Sequence, residues 1–292
     1  MPVSAIVLMV SSGLVFSGID ASAKYLVLAG VPAPFVAWVR FLVNAAIVLV
    51  VFRGWHAASG LWARNLWAQV ARAGLIFITT ICNFMALRTL QLAETMSIMF
   101  LLPVVITALA GPLLGEWAGW RRWVAICVGL VGVLVITRPG FGVIGIGHLY
   151  SIIAMLGAAC FNLMTRSLSH TETPQSLILF QSLVPTILLT PAVPALGVLP
   201  EQPLHWLLYL TMGFCGFLGH WLFIKANRLA TATALAPFSY LQMIWMLAIG
   251  WAVFGQLPDL WTLVGSGIIV ASGLYILHRE RQLRIEARLD PP

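Results

Sequence analysis

The chain has 292 residues, 61% hydrophobic and 9% charged, with 16 Lys and Arg against 9 Asp and Glu. A soluble globular domain carries about 25% charged residues, and a mean hydropathy of +0.98 lies far outside that pattern. Soluble, disordered and fibrous classes are excluded, and the sequence reads as an all-α polytopic membrane protein.

The net charge of +7 does not point to nucleic acid, because the basic residues sit at the ends of apolar runs. The 12 tryptophans fit the same picture, since indole rings favour the membrane–water interface. Cys82, Cys127, Cys160 and Cys215 lie singly in apolar stretches, with neither disulfide nor metal-ligand spacing, and read as small packing residues. The first apolar run lacks a basic leader and a small-residue cleavage site, so it reads as a retained span.

Ten runs approach the roughly 20 residues needed to cross a bilayer core: 4–28, 34–52, 69–89, 94–114, 120–137, 147–168, 175–194, 204–229, 233–254 and 260–278. In the first, Gly13, Ser17, Asp20 and Lys24 recur at helical spacing on one face. Asp20 and Lys24, four apart, are expected to pair and so reduce each other's desolvation. The competing reading has Lys24 extending to the interface, with Asp20 only neutralising it. The second run holds Arg40, and the third offers Thr79, Thr80 and Asn83.

The fourth run contributes Met96, Met99, Phe100 and Pro103, with Pro103 near its centre and expected to kink or open the helix as a gating element. The sixth carries Phe161, Asn162 and Arg166. In the eighth, His220 and Trp221 follow Gly213, Gly216 and Gly219, whose spacing suggests close helix approach. His220 could relay a proton or simply bond a neighbouring helix. The ninth supplies Ser239, Tyr240, Gln242 and Trp245. Trp221 and Trp245 are the two tryptophans read at midplane depth.

An even number of spans puts both termini on one side. Arg53, Arg64, Arg72, Arg121, Arg122, Arg166, Lys225, Arg228 and the tail arginines Arg279, Arg281, Arg284 and Arg288 fall on that side, against Lys24, Arg88 and Arg138 opposite. The positive-inside rule makes it the cytoplasm.

An offset of about 140 residues relates the two halves. Asp20 and Lys24 fall on Asn162 and Arg166, Ala86 and Arg88 on Ala226 and Arg228, and Gly115-Glu116 on Gly255-Gln256. Five spans per unit is an odd number, so the copies would cross in opposite directions, as in alternating-access transporters with a midplane site. The units are 1–140 and 141–278, with 279–292 a cytoplasmic tail.

The stretch Ala93-Glu94-Thr95, Leu102-Pro103-Val104, Leu114-Gly115-Glu116 and Gly129 to Leu134 resembles the EamA domain of the drug/metabolite transporter superfamily. A weaker copy runs from Ala232-Thr233-Ala234 through Tyr240-Leu241-Gln242 to Phe254-Gly255-Gln256 and Gly273, with Met243 in place of Pro103 and Gln256 in place of Glu116. The resemblance covers essentially the whole chain. It implies a metabolite exporter of the cytoplasmic membrane, most similar to the aromatic amino acid exporters of the YddG type.

A charged residue within a span is expensive and defaults to a functional hypothesis. The expected substrate cavity comprises Ser17, Asp20, Lys24, Thr80, Asn83, Met99, Phe100, Phe161, Asn162, His220, Trp221, Tyr240, Gln242 and Trp245, with Pro103 gating it. No HExxH, GxSxG or GxxxxGK[ST] motif is present, so neither an enzyme nor an ATP-driven motor is indicated, and no cofactor or metal is expected. The expected partners are a small-molecule substrate (aromatic or large apolar amino acids) and membrane lipids, and a monomer suffices. Export of nucleobases, sugars or cationic drugs is the nearest alternative, with an intramembrane enzyme or lipid-binding scaffold a more distant one.

Overall fold

The computed structural model describes residues 2–53, 60–90, 95, 98–99, 101–137, 145–196, 202–255, 260–261, 263–265, 267–268, 271–272 and 275. Among them every regular element is helical. A helix satisfies its own backbone polar groups where no water can, which is what an apolar chain in lipid requires. The helices are α1 (Val3–Leu28), α2 (Ala33–Val51), α3 (Leu66–Ala86), α4 (Leu102–Leu114), α5 (Trp120–Thr137), α6 (Ile146–Leu168), α7 (Pro174–Leu189), α8 (Pro203–Leu229) and α9 (Gln242–Phe254). Short turns at Thr190–Ala192 and Val193–Leu196 prolong α7. A one-turn helix, Ala232–Leu235, and a 3₁₀ segment, Ala236–Leu241, lead into α9.

Proline and glycine punctuate the chain as their backbone chemistry demands. Proline stands in the first turn of α2, α4, α7 and α8, where a missing N–H removes no helix bond. Thr173 caps α7, its hydroxyl oxygen accepting from the Ser176 N–H at 3.1 Å. At their other ends, α4 and α9 stop on Gly115 and Gly255, with φ of 69° and 66°, a left-handed conformation that suits glycine. Both of these helices have 13 residues.

Among the described residues, six helical stretches are long and apolar enough to cross a membrane: Val3–Leu28, Ala33–Val51, Leu66–Ala86, Ile146–Leu168, Pro174–Leu196 and Pro203–Leu229. Their outer faces expose large aliphatic residues such as Val50, Ile187 and Leu207, a surface that water would not tolerate at this density. The helix pairings follow a pattern. α1 packs on α8 as α3 packs on α6; α2 on α8 as α3 on α7; α1 on α9 as α4 on α6. Exchanging α1 with α6, α2 with α7, α3 with α8 and α4 with α9 leaves these pairings unchanged.

Close approach depends on the glycines singled out in α8. A Cβ added at Gly213 would lie 2.2 Å from Val43 Cγ1, one at Gly216 3.1 Å from Asn44 Nδ2, and one at Gly219 2.6 Å from the Phe16 ring. Thus α8 sits directly against both α2 and α1, and the Ser12 hydroxyl donates to the Gly219 carbonyl at 2.9 Å.

Arg72, counted among the basic residues of the cytoplasmic side, lies inside α3 with no exposure at all. Pro103, expected to kink or open the fourth span, lies beside an interruption of it. It occupies the second position of α4, and the helical residues 98–99 before it end in a turn at Leu101. The break therefore precedes the proline, whose ring disfavours a helix running through it.

Candidate functional site

A cavity of about 200 Å³ lies between α1, α2, α3, α6 and α8 and reaches the starts of α4 and α9. Phe16, Phe84, Phe161, Phe223 and Phe238, with Met9 and Met99, make most of its wall apolar and aromatic. Leu102 and Pro103 from α4, and Gln242 from α9, bring the beginnings of both 13-residue helices to its edge.

The polar part of the wall is organised by α3. Arg40, 6% exposed on α2, donates from Nη1 to the Thr80 hydroxyl at 2.9 Å. Asn83 Nδ2 donates to the Asp20 carboxylate at 3.5 Å. Thr80 and Asn83 are three residues apart and so share one face of α3. A cation and a carboxylate are thereby anchored to that face, both on the cavity wall.

Buried polar atoms in folded proteins are nearly always hydrogen-bonded. Here Arg40 Nε, Thr79 Oγ1, Asn83 Oδ1 and His220 Nδ1 are buried without a partner in the protein, and all four residues line the cavity. His220 is held between aromatic rings, its centroid 4.8 Å from Phe16 and 5.8 Å from Phe161. Asn162 is also on the wall, with Nδ2 donating back to the Ala158 carbonyl at 2.7 Å.

Of the residues read from the sequence, Asp20, Thr80, Asn83, Met99, Phe161, Asn162, His220, Gln242 and Pro103 are brought together here. Others are placed elsewhere. The Ser17 hydroxyl turns back to the Gly13 carbonyl at 2.9 Å, as serine does inside a helix. The expected Asp20–Lys24 pair does not form, because Lys24 Nζ lies over the Phe254 ring at 5.3 Å while Asp20 faces Asn83. Trp221 stacks on Phe52 at 5.2 Å, with Lys225 Nζ 5.0 Å from its ring, on a side of α8 away from the cavity. Tyr240 packs its ring against Gly129 of α5, where an added Cβ would lie 2.7 Å away. Trp245 stands about a turn beyond Gln242 and is not on the wall. Phe100 lies outside the described residues.

Arg40, Phe16, Phe84, Phe223 and Phe238 line the cavity without being among the residues expected there. For Arg40 the sequence does carry a signal: a charge in the middle of an apolar run is as costly there as Asp20 is in the first.

Two other arginines, Arg72 buried and Arg166 half-buried, serve the framework. Arg72 donates to Thr165 Oγ1 at 2.7 Å, the Leu177 carbonyl at 2.9 Å and Gln181 Oε1 at 2.8 Å, and lies 4.5 Å above the Phe161 ring. Arg166 Nε meets Glu116 Oε1 at 2.7 Å. Among the described residues, no group of three or more His, Cys, Asp or Glu is placed to hold a metal ion.

An apolar helical bundle enclosing a cavity with unspent polar atoms has the form of a membrane carrier. The EamA-like transporter family model matches residues 3–138 and again 145–277. The chain belongs to the EamA-like transporter family. Among its relatives is the S-adenosylmethionine uptake transporter of Rickettsia bellii, 26% identical over 85% of this chain and 84% of that one. The riboflavin transporter of Vibrio cholerae is 26% identical over 96% of this chain and 94% of its own. The pseudopaline exporter CntI of Pseudomonas aeruginosa is 22% identical over 92% and 94%. One crystal structure superposes with a TM-score of 0.77 at 18% identity, covering 92% of this chain and 96% of that chain, and so shares the fold. This EamA protein is therefore a multi-pass membrane transporter of small metabolites, and its relatives are named as transporters and not as enzymes.

Proposed function

We propose that this EamA transporter carries small amphiphilic metabolites bearing an aromatic or large apolar group, aromatic amino acids among them, across a bacterial cytoplasmic membrane. What carries this reading is the cavity's composition: five phenylalanines and two methionines beside four buried polar atoms that have no partner in the protein. Aromatic rings supply stacking surface, and convergent polar groups fix orientation.

Movement would follow an alternating-access scheme in which two inverted halves, 1–140 and 141–278, rock about the shared cavity. The paired exchange of helix contacts and the matching left-handed ends of α4 and α9 support such a relation. Substrate biases the inward–outward equilibrium by touching the two states differently, and net flux runs outward when the cytoplasm is the richer side. The positive-inside argument places both termini in the cytoplasm, which a reporter fused at Pro292 would test.

The relatives' names favour a second reading within transport. S-adenosylmethionine and riboflavin each combine a flat heteroaromatic ring with polar groups, and this cavity is lined for such a ring as well. Uptake and counterflow in proteoliposomes, with and without a pH gradient, separate the readings. Labelled tryptophan, phenylalanine, methionine, S-adenosylmethionine and riboflavin form the panel, with glutamate, lysine and glucose as competitors. Transport of the amino acids with weak competition by glutamate, lysine and glucose supports the first reading. Transport of riboflavin or S-adenosylmethionine alone replaces it with the second, and transport of none removes both.

A further inference from the structure

Three arginines inside the described helices, Arg40 and Arg72 buried and Arg166 half-buried, differ in how their donors are used. A guanidinium has five N–H donors and no acceptor. Arg72 spends Nε, Nη1 and Nη2 on Thr165, Leu177 and Gln181. Arg166 spends Nε on the Glu116 carboxylate and Nη1 on the Asn227 carbonyl. Arg40 is as deeply buried but has one neutral partner, Thr80, and its Nε is unpaired. Among the described residues, no carboxylate forms an ion pair with it. Arg40 is the one of these three arginines that lines the cavity, and the countercharge that acts on it there is Asp20, at longer range than an ion pair.

Its neighbour on the wall carries the complementary charge. Asp20 receives one long hydrogen bond, from Asn83, and the Arg40 guanidinium is the cation that acts on it. Because Thr80 and Asn83 share one face of α3, the guanidinium and the carboxylate are presented on the same stretch of cavity wall, one on each side of the space a zwitterionic head group would fill. The aromatic residues Phe16, Phe84 and Phe161 bound the same space. We propose that Arg40 and Asp20 form a head-group clamp for zwitterions, Arg40 holding the substrate carboxylate and Asp20 its ammonium, with Thr80 and Asn83 as positioning residues.

The clamp rests on the amphiphilic-substrate reading and narrows it to α-amino acids, so the probes vary one charge at a time. Purified protein in detergent is titrated, by thermal shift, with L-tryptophan, tryptamine (no carboxylate), indole-3-propionate (no ammonium) and indole (neither). Tryptophan should bind at least about tenfold more tightly than tryptamine or indole-3-propionate, the factor expected for losing one hydrogen bond to a charged group. Arg40→Gln should erase the preference for tryptophan over tryptamine, Asp20→Asn the preference over indole-3-propionate, and Arg40→Lys should keep part of the first. Equal binding of all four by the unaltered protein overturns the clamp while leaving aromatic transport standing. Binding of none overturns both. If Arg40→Gln fails to fold, the preference measured on the unaltered protein and on Thr80→Val still decides: Thr80→Val should weaken tryptophan more than tryptamine, and equal weakening counts against the clamp.

Discussion

Glu116 and Arg166 meet with Oε1 and Nε 2.7 Å apart, immediately after the left-handed glycine that ends α4. The second carboxylate oxygen accepts from the Ala232 N–H at 2.8 Å, and Arg166 Nη1 donates to the Asn227 carbonyl. One pair therefore ties together the ends of α4, α6 and α8 and the link leading to α9. Its two side chains are 13% and 14% exposed.

Glu116→Gln leaves the Arg166 charge with neutral partners only. Removing one member of a fully buried pair costs about 3–5 kcal/mol, and the residual exposure brings the expected loss to about 2 kcal/mol. The purified variant should melt several degrees below the parent, while exchanging the two residues in a Glu116→Arg, Arg166→Glu double variant should recover part of the difference. A melting temperature unchanged in Glu116→Gln would show that the pair adds nothing to the bundle.

The glycines of α8 make a sharper packing prediction. At Gly213 an added methyl would meet Val43 at 2.2 and 2.4 Å, so Gly213→Ala must push α8 away from α2. At Gly74 in α3 nothing lies within 4 Å, and alanine there gains about 0.5–1 kcal/mol of helix preference. Detergent-extracted yield and melting temperature should fall for Gly213→Ala and hold or rise for Gly74→Ala. The reverse order would mean that the Gly213, Gly216, Gly219 row is not an interface.

How much of this was readable beforehand follows from range. Long apolar runs and their Pro and Gly boundaries are local, and α1, α2, α6 and α8 begin and end within a few residues of the expected spans. The row of glycines in α8 signalled close approach for the same local reason. The environments of Arg72 and Arg40 are not local. Arg72 is buried by partners 93 to 109 positions away, and Arg40 by one 40 away, so their burial is invisible in the run that contains them. Aromatic residues differ in another way: Tyr240 and Trp221 turn toward Gly129 and Phe52, a rotation about the helix axis that an apolar sequence does not encode.

Accessibility separates the cavity wall from its surroundings. In a background with Cys82, Cys127, Cys160 and Cys215 replaced, Asn162→Cys and Thr80→Cys should react with a small water-soluble thiol reagent, and substrate should slow that reaction. Ser17→Cys should react poorly, because its hydroxyl bonds to Gly13 inside α1 and it is 1% exposed. Fast labelling at Ser17 with none at Asn162 would move the water-filled path to another face of α1.

Pro103 tests whether the broken fourth span matters for movement. Proline in the second position of α4 costs that helix nothing, yet its ring and missing N–H prevent a bond back to the Met99 carbonyl. Residues 98–99 are already helical, and a turn at Leu101 separates them from α4. Alanine at this position supplies the N–H and removes the ring, so the two pieces can join into one continuous helix. Met99, Leu102 and Pro103 all touch the cavity, and straightening this segment changes one of its walls. Pro103→Ala should therefore leave melting within about 1 kcal/mol of the parent, as expected for a first-turn proline. Its exchange rate in counterflow should fall, with altered thiol labelling of Asn162→Cys in the same variant. Parent-like exchange and labelling would make Pro103 a wall residue without a part in the conformational change.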